Sequence, residues 1–216
     1  MDFALLINKF ASLPVYITGG YYLFRYRQLP GTLKLFSVFV FVSAIIQFVS
    51  TMLWLQNIPN LLLLHIYVAG GFVCLGLFYE AVLEGFIDKK IIRSIMIAFL
   101  AFTIINSLFI QPFTTFNSYA LITECILVVI LALTTYLVMM DDVVKRKRQE
   151  LASSLNWINS GLFIYYSSSL IIFYYANTLV KFFSKQFNLQ TWMLHAFFSL
   201  IMYSCFFVGL WKRPRR

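Results

Sequence analysis

Apolar residues fill seven long stretches of the chain, and polar residues gather at the joints between them. A helix crosses the hydrocarbon core of a bilayer in about 20 residues. Seven stretches are long enough: 4–24, 34–56, 61–83, 92–111, 118–140, 155–180 and 191–211. The joints carry turn signals. "RYRQLPGT" has Pro-Gly, "NIPN" has Asn and Pro, and "QPFTTFNS" has Pro followed by Thr, Asn and Ser. The pattern predicts an all-α, polytopic membrane protein, one seven-transmembrane-helix bundle forming a single domain over 1–216. Lys9 and Pro14 fall inside the first stretch. A lysine near a helix end snorkels to the interface, and a membrane helix tolerates a kinking proline.

Composition agrees. The chain is 61% hydrophobic and 12% charged, with mean hydropathy +0.83. Soluble domains carry about 25% charged residues. The net charge of +9 would suggest nucleic acid in a soluble protein, but here its distribution explains it. Arg25, Arg27, Lys34, Lys89, Lys90, Arg93, Lys145, Arg146, Lys147, Arg148, Lys212, Arg213, Arg215 and Arg216 fall on one side of the predicted spans. Only Lys9, Lys181 and Lys185 fall on the other, which accounts for all 17 basic residues. The positive-inside rule puts the N-terminus outside and the C-terminus in the cytoplasm. The expected location is the cell (inner) membrane, with lipid as the standing partner and no nucleic acid. The run "DDVVKRKRQE" reads first as a topology determinant beside anionic lipid, and second as a docking site for a cytoplasmic signalling partner.

Cys74, Cys125 and Cys205 lie in apolar runs. Their odd number and the lack of a C-x-x-C spacing imply neither disulfides nor a cysteine metal site. The opening "MDFALLINKF" lacks a basic n-region and a cleavage site, so it is read as the first span.

Polar groups at membrane depth are the candidate chemistry. With a rise of 1.5 Å per residue, His65 lies about 6 Å inside the outer boundary, Asn106 about 7 Å, Glu124 about 9 Å and His195 about 6 Å. Asn117 sits at the rim, seven residues before Glu124 and hence on its helical face. Both histidines of the chain fall in this outer layer. A carboxylate in the membrane is expected to face the bundle and find a donor. Taken singly, each of these groups reads more simply as glue between helices, at about 0.6 kcal/mol per hydrogen bond. Taken together, His65, Asn106, Asn117, Glu124 and His195 form a candidate ligand-binding pocket that opens outward.

Other polar groups read as structural. Glu80 and Glu84 lie at the cytoplasmic end of the third stretch, within reach of water, Lys89 and Lys90. Asn156, Ser160, Ser167, Tyr174 and Asn177 share one face of the sixth and suggest a packing stripe. Gly70, Gly71 and Gly76 suggest close helix approach in the third.

"LHIY" at 64–67, "QPFTTFNSYA" at 111–120 with Glu124 after it, "WINSGLFIYYSSS" at 157–169 and "WMLHA" at 192–196 carry a likeness. From the third stretch onward the chain resembles a family of small seven-span membrane proteins abundant in Bacteroidota bacteria. The resemblance implies that His65, Asn117, Glu124, Trp157, Asn159, Tyr165 and His195 belong to the family pattern. Members carry an acidic residue two turns after the histidine of "LHIY"; Gly71 stands there in this chain. Members are often encoded near signalling proteins, which points to sensing but brings no chemistry with it.

Three functions remain open, and whether the protein is an enzyme stays open with them. The leading one is a receptor-like or sensory protein that binds a small molecule or lipid in the outer polar pocket, with no cofactor. The second is an intramembrane hydrolase holding zinc through His65, Glu124 and His195, since two histidines and a carboxylate leave an open fourth position. No H-E-x-x-H spacing supports it. The third is a small transporter, for which internal repeats and broken helices would be expected. The sequence speaks against a retinal protein, since no lysine lies within the seventh stretch; Lys212 is at its end.

Overall fold

The computed structural model describes residues 13–141, 149–182 and 184–212. Among these residues the fold is all-α. The helices are α1 (Leu13–Arg25), α2 (Gly31–Leu55), α3 (Leu61–Val82), α4 (Lys89–Ile105), α5 (Ser118–Met140), α6 (Gln149–Phe182) and α7 (Lys185–Trp211). A 3-10 turn, Tyr26–Gln28, follows α1, and a π-helical turn, Asn106–Ile110, continues α4.

Five segments are long and apolar enough to cross a membrane: α2, α3, α4 with its π-turn, α5, and Gln186–Trp211 of α7. The chain is therefore a multi-span helical membrane protein. The other two predicted spans differ. The span at 4–24 begins outside the described residues, and its described part, α1, has only 13 residues. The span at 155–180 lies in α6, whose 34 residues are ample in length, yet α6 is not among the five. Asn156, Asn159, Ser160, Ser167, Ser168, Ser169 and Asn177 dilute its apolar character. Most of the basic run "DDVVKRKRQE" lies outside the described residues.

Local chemistry sets the helix ends. Asp88 accepts from the Lys90 N–H at 2.9 Å and caps α4. Ser184 accepts from the Phe187 N–H at 3.2 Å and caps α7. Asn57 takes a left-handed φ of 57°, and the Ile58 N–H returns to the Leu53 carbonyl, closing α2 with Asn in the position glycine usually fills.

The chain divides into two compact units, Leu23–Glu124 and Met1–Tyr22 with Cys125–Arg216. The core of the first is aromatic: Phe36 meets Phe78 at 4.9 Å between ring centroids, and Phe72 meets Phe99 at 4.3 Å. At one end of it Arg93 grips Glu80 through two hydrogen bonds, Nε to Oε2 at 2.9 Å and Nη2 to Oε1 at 2.8 Å. Lys89 pairs with Glu84 at 2.6 Å. Glu84 thus takes an expected lysine, while Glu80 takes Arg93, whose planar fork fits a carboxylate.

The second unit packs through small residues. A Cβ on Gly161 would lie 2.8 Å from the Cys205 Cβ and 3.0 Å from the Met202 carbonyl oxygen. One on Gly209 would lie 2.9 Å from the Ser154 carbonyl oxygen. Lipid tails are as apolar as leucine, so such close approach is what holds membrane helices together. In α3 Gly76 packs on Met96 and Gly71 lies against Phe39 of α2 and Glu124 of α5, whereas a Cβ on Gly70 would meet nothing within 4 Å. The buried face of α6 is also offset from the predicted stripe. Leu155, Ile158, Leu162, Tyr166, Ser169 and Phe173 are buried, while Asn156 and Tyr174 are exposed.

Candidate functional site

The site is built where α4 ends. There the Gln111 N–H reaches back five residues to the Asn106 carbonyl at 2.7 Å, the signature of a π-turn. Neighbours on an α-helix point about 100° apart. Asn106 and Ser107 are both buried here, while Leu108, Phe109 and Ile110 stay exposed. Such turns occur often at functional sites.

A buried amide network follows. Asn106 Nδ2 donates to Asn117 Oδ1 at 2.7 Å and to Gln111 Oε1 at 3.3 Å. Gln111 Oε1 also accepts from the Tyr119 N–H at 3.0 Å, and its Nε2 donates to Ser118 Oγ at 2.8 Å. Gln111 thereby supplies one partner for the unpaired donors at the start of α5. Asn117 gives its carbonyl to the Leu121 N–H. Two atoms of this network have no hydrogen-bond partner, Asn106 Oδ1 and Asn117 Nδ2. One is an acceptor and the other a donor, on adjoining amides that are fully buried.

His65 on α3 is buried beside the π-turn. Its Nδ1 lies 2.8 Å from Ser107 Oγ, and its Nε2 lies 3.1 Å from the Thr115 carbonyl oxygen. A carbonyl only accepts, so Nε2 carries a proton. In the neutral ring Nδ1 then accepts from the Ser107 hydroxyl. A turn in which Thr115 bonds the Pro112 carbonyl through both N–H and hydroxyl holds Thr115 in place. Phe113 packs edge-on against the imidazole at 5.1 Å.

Glu124 is buried and faces its own unit. Its Oε1 lies 3.8 Å from where a Cβ on Gly71 would be, and the rings of Tyr67 and Phe39 flank the same point. Tyr67 Oη is 3.0 Å from Ser43 Oγ. Ser43 spends its proton on the Phe39 carbonyl, so Tyr67 is the donor of that pair. The polar residues of this unit thus fall into two levels: His65, Ser107, Asn106 and Asn117 in one, and Ser43, Tyr67 and Glu124 in the next.

A cavity of about 440 Å³ opens beside His65. Its walls are His65, Ile66, Ala69 and Gly70 of α3, then Thr103, Ile104, Ser107, Leu108 and Phe113. Its polar walls are His65, Ser107 and Thr103, and the rest of the lining is apolar.

His195 belongs to the other unit. Its Nε2 meets the Tyr165 hydroxyl at 3.0 Å, and the rings of Tyr165, Phe173 and Trp192 stand 5.3, 5.3 and 5.7 Å away. Among the described residues, no three or more His, Cys, Asp or Glu side chains gather in a group able to hold a metal ion. The zinc reading through His65, Glu124 and His195 gains no support, and His65 already spends both ring nitrogens on protein partners.

Of the five residues singled out from the sequence, His65, Asn106, Asn117 and Glu124 fall in one unit, with Asn106 bonded directly to Asn117. Gln111 and Ser118 lie in the quoted motif at 111–120 but were read as span ends rather than site residues, because no helical period marks a side chain that reaches back from a loop; Ser107, four residues before that motif, was not singled out. No protein family, curated protein or solved structure matches this chain.

Proposed function

We propose that the protein is a receptor-like, sensory membrane protein, and that its ligand site is the buried polar network around Asn106, Asn117 and His65, with Glu124 one level below. The observation that carries this reading is the pair of unpartnered amide atoms, Asn106 Oδ1 and Asn117 Nδ2. Leaving a buried polar atom unpaired costs about 1–3 kcal/mol. In a network that is otherwise hydrogen-bonded, an adjoining free acceptor and free donor suit a small ligand carrying both functions. A hydroxyl, a primary amide or a protonated acid is of this kind. The positive-inside count puts this end of the unit on the outer side, where such a ligand would arrive. The basic loops would then contact a separate cytoplasmic output protein.

Asn117→Asp tests the reading. The carboxylate keeps an acceptor for Asn106 Nδ2 but replaces the free donor with a second acceptor. The wild-type protein, extracted directly into lipid nanodiscs, should carry a co-purifying molecule detectable by native mass spectrometry. The variant should lose it while remaining folded. An identical set of bound molecules in both proteins would sink the proposal.

A further inference from the structure

We infer that the cavity between α3 and α4 is a lateral binding site for a single-chain membrane amphiphile with a hydroxyl head, such as a monoacylglycerol. The inference rests on the pocket reading only through His65, which borders both. Three observations carry it. The cavity lies between two membrane-spanning segments, and Ile66, Ile104 and Leu108 on its rim are each more than half exposed. Its occupant therefore comes from the bilayer. The cavity's polar wall groups are few, His65, Ser107 and Thr103, and the remaining walls are apolar. That composition matches a small hydroxyl head beside Ser107 and a chain over the apolar remainder. Finally, the floor is open at Gly70, where a Cβ would meet nothing within 4 Å.

The head chemistry follows from the proton placement at His65. In the neutral ring the Ser107 hydroxyl gives its hydrogen to Nδ1. The Ser107 oxygen keeps acceptor capacity at the cavity wall. An acceptor there selects a donor, and a glycerol hydroxyl supplies one. A plain hydrocarbon would gain nothing over bulk lipid, because lipid tails and apolar side chains are equally good surroundings for it.

The test uses the full chain in nanodiscs of phosphatidylethanolamine and phosphatidylglycerol, with a monoacylglycerol probe bearing a diazirine on its chain. After irradiation, labelled peptides should map to α3 and to the end of α4 in preference to the other lipid-facing helices. Gly70→Leu fills the open floor and should abolish that label. Ser107→Ala removes one hydrogen bond and should weaken competition by unlabelled monoacylglycerol about fivefold; the matching fatty-acid methyl ester, which lacks a donor, should compete as weakly against the wild type. Even labelling over all lipid-facing surfaces would overturn the inference. So would indifference to both variants, or cross-linking of two copies of the chain across this face. If Asn117→Asp strips the co-purified molecule while the probe ignores Gly70→Leu, the lipid site falls and the pocket stands. If Gly70→Leu blocks the probe and Asn117→Asp changes nothing, the lipid site stands alone.

Discussion

His65 is bound at both ring nitrogens, to Ser107 and to the Thr115 carbonyl, so it ties α3 both to the π-turn and to the loop beyond it. His65→Leu leaves the buried Ser107 hydroxyl without its partner, at about 1–3 kcal/mol, and removes the tie to the carbonyl of exposed Thr115. The variant in detergent should unfold at a clearly lower temperature than the wild type, and His65→Gln should recover part of the loss. An unchanged midpoint would mean that these bonds carry no stability. The histidine was visible in the sequence because it interrupts an apolar run. Its partners were not, because a serine in "INSLFI" or a carbonyl in "FTTF" looks like any other. Only the chain's path through the Pro112–Thr115 turn reveals them.

Single glycines give the helices opposite responses to one substitution. Alanine is favoured over glycine inside a helix by about 1 kcal/mol. At Gly70, where the space is open, Gly70→Ala should be neutral or stabilising by up to that amount. At Gly161 the new methyl would meet the Cys205 Cβ and the Met202 carbonyl oxygen, and overpacking of this kind costs about 1–3 kcal/mol. Thermal unfolding should therefore fall for Gly161→Ala and hold or rise for Gly70→Ala, and an unchanged or raised midpoint for Gly161→Ala would contradict the packing between α6 and α7. Helix positions themselves were legible: the apolar runs at 61–83 and 118–140 became α3 and α5 almost residue for residue. The inward face of α6 was not. Serine and asparagine bond equally well within their own helix or across to another, so their spacing does not reveal which way they point. Asn159 reaches the Ala132 carbonyl at 3.0 Å, whereas Ser168 bonds back to the Ile164 carbonyl in its own helix.

For the whole molecule, charge carries the information that packing does not. The orientation we propose places the loops near Gln28 and Gly85 in the cytoplasm and those near Gln56 and Gln186 outside. With Cys74, Cys125 and Cys205 replaced, a Gln186→Cys protein in intact cells should react with a membrane-impermeant thiol reagent, and a Gln28→Cys protein should react only after permeabilisation. The reverse pattern would invert the topology and put the polar network on the cytoplasmic side. Hydropathy settles that the chain is a membrane protein but leaves α1 and α6 unequal to the other five. In α6 the reason is its own hydroxyl and amide groups, several of which are buried against the protein.

The wide turn at Asn106–Ile110 also makes a claim about length. One turn of this kind holds a residue more than an α-helix needs, so it is an insertion carried in place. Deleting a single residue from an ordinary membrane helix rotates everything beyond it by about 100°. Deleting Leu108 should instead let α4 run on as a regular helix, with the following "QPF" segment docked where it was. What would be lost is the five-residue bond from the Gln111 N–H to the Asn106 carbonyl, replaced by the four-residue bond of an α-helix.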